Sequence, residues 1–507
     1  MASSSSLPAV RDDRAAGPGL PAAAAATAVF LVLALWRAGA PTLWNDEVMS
    51  VSFARRSWYG LFHGAASDRV HPPLFYALLK IWIRIGGEGA LWLRLLPVSI
   101  AAAAVCASGW LCRNIGLSRR ASALGLFLCA TSGYLVYYGQ ELRPYPLLLL
   151  ASTLSTAFFA AAAVGGAERP ARSWVALALA NTLLVYSHYF GWLVVGTQGL
   201  WLLVCDRRRV GRFVLSCSVP VVAFAPWAWL VSRQLHRGGG LTGNLAGLSI
   251  PGPAALASFY AGLLGPYRSA PVAAQLAAGA LALAGVAVFA VRRARGGSDA
   301  DAPAPAPGFL SAFAFVPPAV AFLFSVLLRP VFHPRYLIEA AVPALLLAGA
   351  ALASFPPGSA RLVAAGAAVA CCAWGAAGTL AEPTRIAWGD LVVAVRDPRC
   401  AAANPGATIY ALGEGTPRPV AYYVERARIS RPVLQVLSLD EIRPRAGWLA
   451  FHAGAELEGI SYWSAATPES VRAALARNGL RVLCEQSSGP ARRRGVLVAF
   501  APAGGGP

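Results

Sequence analysis

Lysine is almost missing from this sequence: Lys80 is the single one, although Lys and Arg together number 43 against 23 Asp and Glu. Charge of either sign is scarce, at 13% of residues, while 57% are hydrophobic. A chain of 507 residues with so few charges does not read as two or three soluble domains, and its composition makes a lipid bilayer the expected solvent. Any C-x-x-C spacing is absent too. Seven of the nine cysteines (Cys106, Cys112, Cys129, Cys205, Cys217, Cys371 and Cys372) fall in or beside apolar runs, where a free thiol behaves as a small hydrophobe. A formal charge of +20 would raise nucleic-acid binding in a soluble protein. Here the basic residues are nearly all arginine and lie between apolar runs, which reads as coding bias and membrane topology, so no nucleic-acid partner is expected.

What is present is a series of apolar segments long enough to cross about 30 Å of hydrocarbon, about eleven in all. They begin near residues 21, 90, 121, 146, 174, 190, 213, 271, 309, 336 and 361. Arginine orients them. Arg113, Arg119 and Arg120, then Arg169 and Arg172, then Arg207, Arg208, Arg209 and Arg212, then Arg292, Arg293 and Arg295 occupy every second connection. Positive charge collects on the cytoplasmic side, so these connections and the tail 1–20 are expected there. The opposite connections, 40–89, 139–145, 187–190, 233–270 and 329–335, carry aromatic and acidic residues. All six histidines fall on this outer side: His63, His71, His188, His236, His333 and His452. Residues 1–40 imitate a secretory signal, with Arg11, Arg14, an apolar stretch and small residues at Ala38 to Ala40, but the many later spans argue for a retained anchor.

The Pro/Ala/Asp-rich run 296–308 has nothing to bury and is expected to be a flexible cytoplasmic loop. From residue 383 the apolar runs shorten to strand length, as in ATIYALG, RPVLQVL and GVLVAF, with a helix-like PESVRAALARNG between two of them. The expected organisation is a transmembrane domain over 21–382 and a small α/β domain over 383–507, which an odd span count places outside the membrane. Its two cysteines, Cys400 and Cys484, could pair in an oxidising compartment, but spacing alone leaves their separation open.

Four clusters could carry chemistry. In LWNDEVMS, Asp46 and Glu47 follow directly on an apolar span, where a carboxylate is costly unless solvated or used. Asn45 or Asp46 could equally cap a helix there. DRVHPPLFYALLKIWIRIGG is too short for a comfortable span and reads as a surface helix, with Pro72 and Pro73 leaving His71 at its mouth. Arg94 then opens the next span, where ordinary snorkelling is the competing reading. In SGYLVYYGQELRPYPLLLL, Gln140, Glu141, Arg143 and Tyr145 join two spans on the outer side, against the charge rule. A guanidinium there suits a lipid-borne phosphate, and a Glu141 to Arg143 pair is the structural alternative. In LRPVFHPRYLIEAAVPALLLAG, Arg329, His333, Arg335 and Tyr336 fall within eight residues. Acids on one outer loop and cations on two others describe a site for an anionic, membrane-anchored substrate.

Taken in order, LWNDE, HPPLFYALLKIW, LRLLPV, YYGQELRPYPLLLL and HPRYLIEAAVPALL resemble the GT-C superfamily of polyprenyl-phosphate-sugar glycosyltransferases. The nearest branch is glycosyltransferase family 39, the protein mannosyltransferase and aminoarabinose transferase type. The resemblance covers roughly 20–355 and is strongest up to 150. It implies an α-helical polytopic membrane protein in the bacterial cytoplasmic membrane. The implied reaction moves a sugar from a polyprenyl-phosphate donor to a hydroxyl acceptor on the outer face, with inversion. It further implies Asp46 as general base with Glu47 beside it. His71, where some relatives carry Lys before Pro-Pro, would meet the donor phosphate together with Arg94, Arg143, Tyr145, His333, Arg335 and Tyr336. Gln140, Glu141 and His188 would support them. No carboxylate cluster dictates a metal site, although a divalent cation could join through the donor phosphate, and no other cofactor is expected. Two rivals stand beside this reading. A lipid-linked-sugar flippase would want polar residues near the midplane instead of at the outer helix ends. A noncatalytic carrier-binding protein would need no base at Asp46.

Overall fold

The structure is a computed structural model that describes residues 20–36, 38–39, 42–164, 171–237, 248–265, 306–355, 358–381, 386–397, 407–413, 416–443, 445–453, 466–489 and 494–503. The low charge and high apolar content are expressed first as helices. α1 (Leu20–Leu35) leads to three short ones, α2 (Asn45–Arg55), α3 (Trp58–Asp68) and α4 (Leu74–Gly86). All three are too short to cross a bilayer. Ser57 caps α3 by accepting the Gly60 N–H at 3.1 Å, and Arg69, left-handed at φ 62°, ends it. Gly87 at φ 76° ends α4, whose buried face is Phe75, Tyr76, Leu79 and Lys80. Trp82 of α4 stacks on Trp92 at 4.3 Å, which seats the short helix against the next one.

Then follow α5 (Ala90–Asn114), α6 (Arg119–Thr131), α7 (Gly133–Gly139), α8 (Tyr145–Ala163), α9 (Ala171–Ser187), α10 (Gly191–Cys205) and α11 (Val210–Arg237). α12 (Pro253–Leu264), α13 (Ala306–Leu327), a 3-10 turn (Pro334–Ala340), α14 (Ala341–Ala353) and α15 (Ser359–Ala381) complete the helical part. Among the described residues, five helical stretches are long and apolar enough to cross a membrane: Ala90–Asn114, Tyr145–Ala163, Arg207–Leu235, Ala306–Leu327 and Pro334–Ala353. α6 and α7 meet at a bend of 53° and make a sixth if counted as one span. The expected spans near 90, 146, 213, 309 and 336 land on the five, and the one near 121 on the bent pair. Those near 21, 190 and 361 fall on shorter apolar helices, and that near 174 on the 17-residue α9. The span expected near 271 lies outside the described residues, as does the loop 296–308 except for 306–308, which open α13.

Small residues let these helices approach closely. A Cβ on Gly349 of α14 would lie 2.3 Å from the Gly125 nitrogen of α6, so the two backbones touch where larger side chains could not fit. α8, α9 and α10 are tied by a closed polar ring. The Ser155 hydroxyl donates to Asn181 at 2.6 Å, Asn181 to Gln198 at 3.0 Å, and Gln198 back to Ser155 at 2.7 Å. Every member is buried and satisfied within the ring, which fits a structural fastening.

After α16 (Trp388–Val393) the chain forms a five-stranded sheet of order β2-β1-β3-β5-β4, built from β1 (Ile409–Leu412), β2 (Val433–Val436), β3 (Gly447–Ala453), β4 (Leu480–Ser488) and β5 (Arg494–Pro502). β1 pairs in parallel with β2 and β3, while β5 pairs antiparallel with β3 and β4. α17 (Pro417–Arg426) and α18 (Pro468–Arg477) complete it, and apolar clusters fill both faces. The three strand runs and the helix read from the sequence are β1, β2, β5 and α18. Cys484 is disulfide-bonded, whereas Cys400 lies outside the described residues.

Candidate active site

α2 is entered through Trp44, which holds the N-cap position without a side-chain cap bond, so neither Asn45 nor Asp46 is the capping residue. Asp46 and Glu47 stand in the first turn, adjacent in sequence but turned by roughly 100° from each other around the helix. Their surroundings differ completely. Glu47 is wholly buried, and Arg94 of α5 donates to both of its carboxylate oxygens, the second bond at 2.8 Å. The Leu142 N–H donates to the same carboxylate at 2.9 Å and the Trp44 N–H at 3.3 Å. Arg94 also donates to the Gln140 carbonyl at 2.7 Å, and the Gln140 amide donates to the Ala34 carbonyl at 2.8 Å. Glu47, Arg94 and Gln140 thus bind α1, α2, α5 and the α7–α8 connection into one bracket.

Asp46, with its side chain 19% exposed, carries its carboxylate to two cations instead. Arg335 lies 3.3 Å away and Arg143 3.8 Å away. Arg143 is buried in the short link ahead of α8, and its guanidinium donates to the Asp46 carbonyl at 3.1 Å and to the Ser50 hydroxyl at 3.4 Å. Its other terminal nitrogen faces Nδ1 of His71 at 3.4 Å. A guanidinium can only donate, so that geometry assigns Nδ1 of His71 as acceptor and Nε2 as the protonated nitrogen. Burial, reinforced by Arg143, His188 and Arg335, holds the His71 imidazole well below its ordinary range. Burial likewise pushes His188 down to about 3, with Arg143 and Arg335 adding to it. The Phe190 N–H donates to His188 Nδ1 at 3.1 Å, which leaves Nε2 of His188 as a second neutral donor.

Around these imidazoles stand two tyrosines. His71 and His188 have ring centroids 5.0 Å apart, His188 lies 5.4 Å from Tyr336, and Tyr336 lies 6.1 Å from Tyr145. The Arg335 guanidinium sits over Tyr336 at 5.2 Å and Tyr145 at 5.9 Å. His333 accepts the Arg335 N–H at 3.3 Å and so caps the turn that carries Arg335 and Tyr336. Among the described residues His71 Nε2, His188 Nε2, Tyr145 Oη, Arg143 Nε and Arg335 Nε are buried without a hydrogen-bond partner. Each such atom left unpaired costs about 1–3 kcal/mol, so five from one cluster mark a place that takes polar partners, water or a ligand's oxygens.

The residues expected to carry or support the chemistry, from Asp46 and His71 to Arg143, His188 and Arg335, therefore lie at one gathering of helix ends. Arg94 and Glu47, expected at the donor phosphate and beside the base, are instead turned to each other. Gln140 joins that bracket, and Glu141 is buried in the same connection. Three contributors went unnoticed: Ser50 beside Arg143, Tyr76, whose hydroxyl meets His71 Nδ1 at 3.3 Å, and Asp68. Asp68 stands three residues ahead of His71 in the DRVHPP motif, which was the available signal. Burial pushes its carboxyl up to about 6, opposed by Arg143 and assisted by Asp46. A carboxyl whose folded pKa exceeds its unfolded value stabilises the fold below the unfolded value and loses that contribution as pH rises through about 6. Asp68→Asn is therefore expected to leave the melting temperature unchanged near pH 4 and to raise it above pH 6. The gain is bounded by about 3 kcal/mol, and melting curves across that range check it.

Helix ends of a polytopic bundle, gathered around an acid and two guanidiniums, define a class. The fold is shared with solved structures of ArnT and of the arabinofuranosyltransferase AftD. The chain is similar to ArnT from Cupriavidus metallidurans in the apo state, with TM-score 0.54 and 15% identity, over 95% of this chain and 97% of that one. Against the same ArnT bound to undecaprenyl phosphate the TM-score is 0.55 at 14% identity, over 95% and 98% of the two chains. The arabinofuranosyltransferase AftD from Mycobacteria matches with TM-score 0.51 and 15% identity, over 97% of this chain but 42% of AftD. Identities this low make the likeness one of fold. The sequence matches no family model and no curated protein.

Proposed function

We propose that this protein is a membrane glycosyltransferase that moves a sugar from a polyprenyl-phosphate donor to a hydroxyl acceptor, with inversion, at the outer face of the cytoplasmic membrane. The observation that carries this reading is the set of buried, unpartnered donors of Arg143, Arg335, His71, His188 and Tyr145 gathered beside the Asp46 carboxylate. Support comes from an ArnT of the same fold bound to undecaprenyl phosphate. In this proposal residues 21–382 form the catalytic membrane domain, the tail 1–20 is cytoplasmic, and 383–507 form an outer domain over the site.

The chemistry follows from the charges. Asp46 accepts the proton of the acceptor hydroxyl as its oxygen bonds to the anomeric carbon. The bond from that carbon to the phosphate oxygen breaks, and its electron pair leaves with the lipid phosphate. Arg143 and Arg335 meet that growing charge with planar donors, while His71 and His188 add neutral N–H donors that do not titrate near neutral pH. Tyr145 supplies a further hydroxyl. Glu47 and Arg94 touch neither substrate in this scheme; their buried pair holds the turn that presents Asp46.

Binding of a polyprenyl phosphate to the purified protein tests the anion site apart from turnover. Arg143→Ala and Arg335→Ala are each expected to weaken it by roughly tenfold to a hundredfold, the range for a lost charge-assisted hydrogen bond. Unchanged binding in both variants would place the carrier phosphate elsewhere.

A further inference from the structure

The sheet unit meets the helical part at the helix that carries Asp46. α17 contacts α2 at three levels. At the entry, the Leu43 N–H donates to the Tyr423 hydroxyl at 2.7 Å. At the middle, Arg418 reaches the Met49 sulfur at 3.7 Å. At the far end, Arg55 pairs with Glu425 at 2.9 Å and with Glu88 at 2.8 Å, and Tyr422 and Arg426 close on Glu88 from α17. The entry contact is the one nearest the acid. Leu43 lies three residues before Asp46, and the next carbonyl, Trp44 O, accepts the N–H groups of Glu47 and Val48 at 2.9 Å each, closing the first turn.

Two further contacts hold the same stretch. The Thr42 hydroxyl donates to the Ile386 carbonyl just ahead of α16. A Cβ on Gly389 of α16 would lie 3.2 Å from the Tyr423 ring and 3.5 Å from the Thr42 methyl, so α16 fits closely against both. We propose that Tyr423 is a positioning residue for Asp46, so that the carboxyl-terminal sheet unit sets the geometry of the acid on the far side of the interface. The proposal rests on the reading of Asp46 as the proton acceptor.

Tyr423→Phe keeps the ring against Gly389 and removes only the hydroxyl that receives the Leu43 N–H. It is expected to lower kcat about tenfold, the scale for a small misplacement of a reacting group, with the KM for the donor unchanged. Tyr422→Phe removes a hydroxyl one residue away that serves the far end of α2, and is expected to keep kcat near the parent value. In the Asp46→Asn background, Tyr423→Phe is expected to cost nothing more, because both act through one carboxylate. Parent kcat in Tyr423→Phe overturns the proposal, and so does an equal loss in both Tyr variants that follows their melting temperatures. If Asp46→Asn itself keeps full transfer, the reading of Asp46 falls first. If Asp46→Asn is inactive while Tyr423→Phe is unimpaired, only the positioning role falls.

Discussion

Asp46→Asn is expected to lower sugar transfer from a polyprenyl-phosphate donor by roughly a hundredfold to ten-thousandfold, the range for losing a general base. The melting temperature is expected to hold. Asparagine keeps the shape of the side chain, and its amide oxygen can still accept from Arg335, now 3.3 Å from the carboxylate. The Asp46 side chain is also partly exposed, and the buried Arg143 keeps its bonds to the Asp46 carbonyl and the Ser50 hydroxyl. Initial rates and a melting curve on the same preparation check both halves. Rates near the parent value would remove Asp46 from the chemistry.

Glu47→Gln, one residue further on, is expected to do the opposite. Glu47 and Arg94 are 0% and 1% exposed at the side chain, so neutralising one strands the other in a dry interior. Removing one partner of such a pair costs about 3–5 kcal/mol, and Arg94→Met is expected to cost as much. The double change of Glu47→Leu with Arg94→Met is expected to recover part of the loss, because two apolar residues leave no charge unpaired. Chemical unfolding in detergent measures the cycle. If Glu47→Gln leaves stability intact and abolishes transfer, the working acid is Glu47.

The contrast between these neighbours marks how far the sequence could be read. The polar clusters at the ends of apolar runs were legible because charge and histidine are conspicuous beside bilayer-length segments, and the order of the motifs was read as a resemblance. They could not separate Asp46 from Glu47. Which acid is enclosed depends on Arg94, 47 residues away, and on the Leu142 backbone, 95 residues away. Snorkelling was a fair alternative for an arginine at the start of a span, and the buried pair with Glu47 is a tertiary fact. His71 was readable as an anion contact, but its protonation is not a property of the HPP motif. Burial and the facing Arg143 hold it neutral. The short strands of the carboxyl-terminal unit were legible as runs, whereas the seating of Tyr423 on Leu43 joins residues 380 apart and has no local signature.

The central claim is that this gathering transfers sugar from a lipid phosphate. The most direct measurement supplies the purified, vesicle-reconstituted protein with a polyprenyl-phosphate sugar labelled in the sugar, alongside candidate hydroxyl acceptors. The expected result is label in a glycoside of inverted anomeric configuration, equimolar release of polyprenyl phosphate, and loss of both in Asp46→Asn. Donor crossing the bilayer with its sugar still attached, equally in the parent and in Asp46→Asn, would contradict it.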